Sequence, residues 1–265
     1  MKLSISNIAW NKENDEEMYR YISESGYNAI EIASTRIIEE NPYSNIDLAI
    51  DFAVKLKQKY NLKICSMQSI WYGRNEKIFL SLKDREEMIN YTKKAIDFAS
   101  SINCKNLVFG CPKNRVIDNI DKYDKIIIDF FCEIGNYAKI KNCIFSIEPN
   151  PVIYNTNFIN TTKEAVDIVK VINNDGVKIN LDLGTIIYNE EDINIIESNI
   201  DLINHVHISE PNLEYVTERD VHKKILKMLK YNGYNGYISI EMKNQNNIEK
   251  VKETINYLKK IYKEI

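Results

Sequence analysis

No run in this sequence approaches the roughly 20 apolar residues that a membrane-spanning helix requires. The first residues, Met1-Lys2-Leu3-Ser4-Ile5, pass into a candidate strand without the apolar core of a secretion signal. Both absences predict a cytoplasmic protein with no membrane partner. C-x-x-C spacing is also missing. The five cysteines, at positions 65, 104, 111, 132 and 143, are an odd number, which argues for reduced thiols and against a disulfide framework or zinc knuckle. Cys65 and Cys104 read as core or strand-edge residues. Nor is there an excess of basic charge: 35 Lys plus Arg stand against 38 Asp plus Glu, for a net charge of −3 and a pI near 5.8. Such a surface offers no positive field to a nucleic-acid backbone. A Pro-, Gly- or Ser-rich linker is absent too, so the 265 residues are expected to form one α/β barrel domain over 1–265 and not two smaller ones.

What is present is a strand design used four times. Ile144-Phe145-Ser146-Ile147-Glu148 is a short apolar strand that ends in a carboxylate and is stopped by Pro149 and Pro151. Strands ending at Asp182, His207 and Glu241 repeat it, at intervals of 34, 25 and 34 residues. Each interval holds one helix and a return to the next parallel strand. Four metal-competent side chains therefore arrive at the C-terminal ends of successive strands, on one side of the sheet. Alternation puts Ser146 with Glu148 and Ser239 with Glu241 on one face, and turns Phe145, Ile147, Ile238 and Ile240 towards apolar packing.

The remaining periodicity fills in the architecture. Strands are expected at 3–9, 28–32, 63–68 and 106–109 as well as at the four stretches above, and helices at 15–25, 45–60, 83–103, 121–141, 162–172, 192–199, 220–231 and 247–262. Met88, Ala95, Ile96 and Ala99 mark the buried side of the helix at 83–103. Strict alternation of strand and helix predicts a (β/α)₈ TIM barrel. The order helix, Gly-Tyr-Asn, strand, Glu occurs twice, leading to Glu31 and to Glu241, a trace of internal repetition.

Several strand exits carry candidate substrate contacts. Trp10 follows the first strand, as pocket wall or as packing residue. Glu31 lies near the end of the second. Gln68, Trp71, Tyr72 and Arg74 leave the third, an amide and aromatic set suited to a polyol. Arg115 leaves the fourth, either to hold an anionic or hydroxylated substrate or as a solvated loop residue. Asn150, Thr185, Glu210 and Lys243 complete the expected set on the later strand exits. A phosphate grip has weak support, because residues 209–213 and 242–244, after the seventh and eighth strands, contain no glycine; Lys243 or Arg115 remains available to an anion.

Two glutamates, an aspartate and a neutral imidazole make an oxygen-rich site for one divalent cation, Mn²⁺ foremost and Mg²⁺, Co²⁺ or Zn²⁺ as alternatives. A substrate with two adjacent oxygens would complete the shell; polarising its carbonyl eases C–H removal and stabilises an enediolate. Glu148 and Glu241, from opposite sides, would remove and return the proton.

These residues resemble the sugar isomerase/epimerase superfamily of xylose isomerase-like TIM barrels over nearly the whole chain. Glu148 in Ser-Ile-Glu-Pro-Asn-Pro, Asp182 in Asn-Leu-Asp-Leu-Gly-Thr, His207 in His-Val-His-Ile-Ser-Glu-Pro and Glu241 in Ile-Ser-Ile-Glu-Met carry the resemblance. Gly26 to Glu31, Ser66 to Ser69 and Phe109 to Arg115 support it. The resemblance implies that Glu148, Asp182, His207 and Glu241 are metal ligands, that Glu148 and Glu241 are the acid/base pair, and that the substrate is a carbohydrate. Many members carry a histidine three residues after the strand-six aspartate. Here that position is Thr185, whose hydroxyl can bind a sugar but cannot carry a proton near neutral pH. His205 is expected to support or pack beneath His207, and His222 to lie at the surface or at a helix N-terminus.

Other activities share this frame. A metal-dependent dehydratase would expel a β-hydroxyl instead of reprotonating the carbon. A non-catalytic binding barrel would do neither. The superfamily's abasic-site endonuclease builds a three-zinc cluster from many histidines; this chain has three in all and an acidic balance.

Overall fold

The computed structural model describes residues 1–117 and 123–265. Eight strands, β1 (Lys2–Ile5), β2 (Ala29–Ala33), β3 (Lys63–Gln68), β4 (Asn106–Phe109), β5 (Ile144–Ile147), β6 (Val177–Asp182), β7 (Ile203–Ile208) and β8 (Tyr237–Ile240), alternate with helices. They pair in parallel in the order β1-β8-β7-β6-β5-β4-β3-β2. One isolated bridge, Ser6 to Glu31, joins β1 to β2 and nearly closes a TIM barrel. Alternation sorts the side chains as expected: Ile5, Phe145, Ile147, Ile238 and Ile240 are buried in the hydrophobic layer. Ser4, Ser66, Ser146 and Ser239 are equally buried but belong to a polar barrel interior, where Asn106 bonds Ser66 at 2.9 Å and Asn204 bonds Asn106 at 2.7 Å.

The outer layer comprises α1 (Asp15–Glu24), α2 (Ser34–Ile37), α3 (Ile46–Tyr60), α4 (Leu82–Ser101), α5 (Tyr123–Ile140), α6 (Thr162–Ile172), α7 (Leu183–Asn189), α8 (Asn194–Glu197), α9 (Asp220–Tyr231) and α10 (Ile248–Glu264). Ser81, Thr161 and Asn247 cap α4, α6 and α10 through side-chain oxygens, each satisfying an amide with no partner inside the helix. At the other ends asparagine takes the left-handed position that glycine usually fills, at Asn61 after α3 and Asn173 after α6. The repeated Gly-Tyr unit has one geometry in both places. Gly26 and Gly233 have φ of 86° and 78°, and the following tyrosine amides bond back to Ile22 and Leu229.

The elements depart from expectation in a few places. The first strand stops at Ile5, and residues Asn7–Ala9 form a 3-10 turn. Asn7 Oδ1 accepts from Ala33 N at 2.9 Å, so the side chain ties this exit to the end of β2 and breaks the extended run. The short helix expected at 192–199 is a single turn, α8, while the longer α7 begins directly after Asp182, whose side chain caps it at Thr185 N. Asp121, expected to open the fourth long helix, lies outside the described residues.

Candidate metal and substrate site

Asp182 and His207 sit at the C-terminal ends of β6 and β7, while Glu148 and Glu241 are the first residues after β5 and β8. Neighbouring strands anchor the two glutamates: Glu148 N donates to Phe109 O at 3.0 Å and Glu241 N to Ile208 O at 2.9 Å. The four are buried, and one ligand atom from each lies within 4.8 Å of the others. His207 Nδ1 stands 2.9 Å from Glu148 Oε1 and 3.1 Å from Glu241 Oε2, yet it satisfies the hydrogen-bond geometry of neither. Its other nitrogen, Nε2, is 3.0 Å from Glu31 Oε2. An imidazole held through one nitrogen by a carboxylate, with the other among three acids, is the arrangement of a metal ligand and its orienting partner. The donor set therefore fits one divalent cation bound by Glu148, Asp182, His207 and Glu241.

Each acid has its own support. Asn180 Nδ2 bonds Glu148 Oε1 at 2.6 Å and Asn150 Nδ2 bonds Oε2 at 3.2 Å. Asp182 Oδ1 accepts from Thr185 N at 2.6 Å and lies 2.7 Å from its hydroxyl, while Ser209 Oγ donates to Oδ2. A Cβ at Gly110 would meet Glu148 Oε2 at 2.5 Å, so only glycine there leaves room for this carboxylate. Arg115 is fully buried. Its Nη1 bonds Glu148 O at 2.8 Å and its Nη2 bonds Asn150 Oδ1 at 2.9 Å and Ile159 O at 3.3 Å. It thereby pins the Pro149 turn from beneath.

Electrostatics follow from crowding acids out of water. Burial, aided by the Glu148 charge, pushes Asp182 up to about 6. Burial also pushes Glu241 up to about 7, with Glu148 adding to the shift and His207 opposing it. For His207, burial acts downward, but Glu241, Glu31 and Glu148 outweigh it and hold the imidazole protonated well above its ordinary value. Glu31 is the reverse case. Burial would raise it, and His207 and His205 together hold it far below the usual carboxylate range.

A cavity of about 170 Å³ opens over the cluster, lined by Glu148, Asp182 and Glu241 and by Gln68, Asn150 and Tyr154. Of the expected substrate contacts, the structure brings Gln68 and Asn150 to this cavity. Trp10 lies instead in the core, its Nε1 bonded to Asp15 at 2.8 Å. Trp71 bonds Thr92 at 2.8 Å and packs edge-on to Phe109 and Phe130, because the chain after β3 turns its indole outwards into the helix layer. Thr185 has its hydroxyl within 2.8 Å of Pro149 O as well as near Asp182. Glu210 is engaged by Arg219 through two contacts of 2.7 Å, and Lys243 is paired with Glu214 at the surface. Arg115 is neither a cavity-lining group nor a solvated loop residue, and Glu31 lies below the cluster. His205 packs beneath, 5.4 Å from the His207 ring. Its Nε2 is 3.3 Å from Glu31 Oε2, so Glu31 serves both rings from a single oxygen. His222 is in the first turn of α9 but buried, with Nδ1 3.0 Å from Tyr257 Oη, because α10 covers that turn.

Ser69 and Cys111, which lie in stretches that carry the resemblance, also line the cavity, as do Tyr154 and Leu213, which no motif pointed to. Tyr154 closes a 3-10 turn after Pro151. Ser69, Cys111 and Leu213 have φ of 53°, 41° and 53°, strained values for such residues that gather around functional sites. Positive φ in non-glycine residues leaves no mark in sequence, so this conformation could not be read in advance.

The profile of a family described as xylose isomerase-like TIM barrel matches residues 19–261. A comparison by sequence with curated proteins finds no match. Among solved structures, the apo 3-keto-D-glucoside 4-epimerase of E. coli superposes with a TM-score of 0.78 at 19% identity, covering 98% of this chain and 99% of that one. The D-psicose 3-epimerase of Clostridium cellulolyticum H10, solved with D-tagatose, gives 0.76 at 16% identity over 100% and 96%. A family 2 AP endonuclease from Brucella melitensis gives 0.75 at 19% over 97% and 96%. At these identities the likenesses establish the fold.

Proposed function

The chain belongs to the xylose isomerase-like TIM barrel family, and from that membership we propose that it is a divalent-metal-dependent sugar isomerase or epimerase with Glu148 and Glu241 as its proton-transferring pair. The observation that carries this reading is the placement of two buried glutamates, on β5 and β8, against one small cavity, with Asp182 and His207 between them. The E. coli and Clostridium proteins, both named as sugar epimerases, support the substrate class. When bound, a divalent cation, Mn²⁺ foremost, supplies the charge that acidifies a C–H bond beside a carbonyl. The residues do the rest. Glu241, buried beside the cavity, would be ionised once it ligates and can then accept a proton from carbon. Glu148 faces it with both oxygens fixed by Asn180 and Asn150, so one carboxylate takes the carbon-bound proton and the other delivers one. Gln68, Asn150 and Tyr154 offer hydrogen bonds to hydroxyl groups.

Cavity size and charge narrow the substrate. About 170 Å³ is well below the several hundred Å³ of pockets for drug-sized ligands, which favours a monosaccharide or a similar polyol or keto acid. No lysine or arginine lines it among the described residues, which favours an unphosphorylated substrate. The test is a screen of ketoses, aldoses and inososes in deuterated water with Mn²⁺. Solvent deuterium at the reacting carbon, or an intramolecular hydrogen shift, is expected in the product. Turnover with neither would sink the reading, loss of water would point to a dehydratase, and no turnover or exchange of any substrate would leave a binding barrel.

Metal uptake is expected to release protons and to tighten by at least about tenfold per pH unit between about pH 6 and 8, more steeply in the lower half of that range. Asp182 near 6, Glu241 near 7 and a protonated His207 must each give up a proton to ligate. All three are raised on folding from ordinary values of 3.8, 4.5 and 6.5. Their contribution to stability is therefore fully present at low pH and lost as pH rises through the folded values. The carboxylates lose theirs by about 7, and His207 loses its own above 6.5. The metal-free protein is thus expected to melt earlier at pH 8 than at pH 7, with Mn²⁺ restoring it; competition titrations with buffered Mn²⁺ and melting curves check both. An affinity that is flat over this range would mean that the ligands are already ionised.

A further inference from the structure

A second opening, wider than the one over the metal cluster, lies at the other end of the barrel. A cavity of about 890 Å³ sits at the N-terminal mouth, against the first residues of β1, β3, β4 and β8 and the outer face of α3. Its shape follows from register. β3 starts at Lys63 but first pairs with β4 at Ser66, opposite Asn106, so its first three residues stand apart from β4. Ile50, Ala53, Val54 and Lys57 share one stripe of α3 by helical spacing and line the cavity. Ile50 and Val54 are 37% and 45% exposed, an apolar surface left open by the described residues. Asn106, Asn204 and His205 carry the cavity into the lower barrel.

Charge sets this cavity apart. Lys2, Lys57, Lys63 and Lys105 line it and, among the described residues, no aspartate or glutamate does, in a chain whose net charge is −3. Some lysines elsewhere on the surface, Lys12, Lys59, Lys93 and Lys139 among them, have a carboxylate partner. Among the described residues the four in the mouth have none. Lys57 bonds Asn61 and Lys2 lies 5.2 Å from the centre of the Tyr237 ring, which leaves Lys63 and Lys105 as the free cations. Several ammonium groups in one mouth exceed what a single carboxylate would neutralise, whereas a phosphate monoester brings a charge of about −1.5 to −2 near pH 7 and lysine binds it as a point charge.

We propose that the N-terminal mouth of the barrel is a second ligand site, which takes a small phosphate monoester with an apolar body. The phosphate is held by Lys63 and Lys105 with Lys2 nearby, and the body rests on Ile50, Val54, Ile64 and Ile102. The site is separate from the metal cluster and does not depend on the activity assigned to that cluster. Isothermal titration of the full chain with 1-naphthyl phosphate tests it, with 1-naphthol and inorganic phosphate as the two half-ligands. Saturable one-to-one binding with a Kd below about 1 mM is expected at low salt, each half-ligand being at least about tenfold weaker. Because each charge-assisted contact commonly carries a factor of about ten, the surface double substitution Lys63→Gln/Lys105→Gln should weaken binding by tenfold or more. Glu241→Gln, in the opposite mouth, should leave it unchanged. The proposal is overturned by an absence of saturable binding up to about 5 mM, by equal affinity in the lysine variant, by equal binding of inorganic phosphate, or by loss of binding in Glu241→Gln.

Discussion

Glu241→Gln and Glu148→Gln are each expected to lower kcat/KM on the true substrate by about 10²- to 10⁴-fold, the usual cost of removing a general base, while retaining part of the metal. The amide keeps the size of the carboxylate and one oxygen that can still ligate, but it can neither take nor return a proton. The two variants should differ in what remains. Glu148 is tied to Asn180 and Asn150, both donors, and an amide NH₂ placed against either would clash in polarity; Glu148→Gln should therefore also disturb the loop that Arg115 pins. Glu241 contacts His207 and, among the described residues, no such pair of amides, so Glu241→Gln should be the cleaner loss of chemistry. Metal content and kcat/KM measured side by side separate the two effects. Equal, proportional losses of metal and activity in both variants would remove the acid/base role and leave only ligation.

His207→Ala has the second large expected effect, on metal affinity and stability together. Loss of a carboxylate that merely orients a ligating histidine costs about 10- to 100-fold in affinity, so removal of the ring itself should cost at least about 100-fold. Glu31→Gln supplies the comparison, since Glu31 reaches the four ligands through His207 Nε2 at 3.0 Å and otherwise touches the cavity wall only at Gln68, 3.5 Å away. The ring is also the cationic partner that Glu31, Glu148 and Glu241 share. Breaking one side of a buried charge pair costs about 3–5 kcal/mol, and at this chain length each kcal/mol moves the midpoint by about 2–4 °C. A fall of roughly 10 °C in the metal-free protein is expected near neutral pH. An unchanged melting curve would show that the acids simply protonate when the imidazole leaves.

The sequence made the barrel and the cluster legible for one shared reason. Strand alternation and strand-end position are one-dimensional properties, and they were enough to place Ser146, Glu148, Ser239 and Glu241 on the interior face and Phe145 and Ile147 outside it. What failed to show was direction beyond the strand. Trp71 and Arg115 leave strand ends as expected, but the loop turns one into the helix layer and the other beneath Glu148. The helix α7 was hidden because Asp182 both ends a strand and caps the next helix, so no separate start signal exists. The lysine-lined mouth assembles residues from both halves of the chain, a proximity that no local pattern encodes.

The bridge between Ser6 and Glu31 is the last stitch of the barrel, and Glu31 is also the carboxylate behind His207. Closing the cylinder and aligning the imidazole are therefore one event. A chain whose β1 edge has come away from β2 would still carry all four ligands on β5 to β8, but with the ring free to swivel. Cation affinity thus reports the integrity of a seam to which none of the four ligands belongs. Mutations along that seam, far from Glu148 and Asp182 in sequence, should first appear as a loosened grip on the ion, before any loss of helical or sheet content.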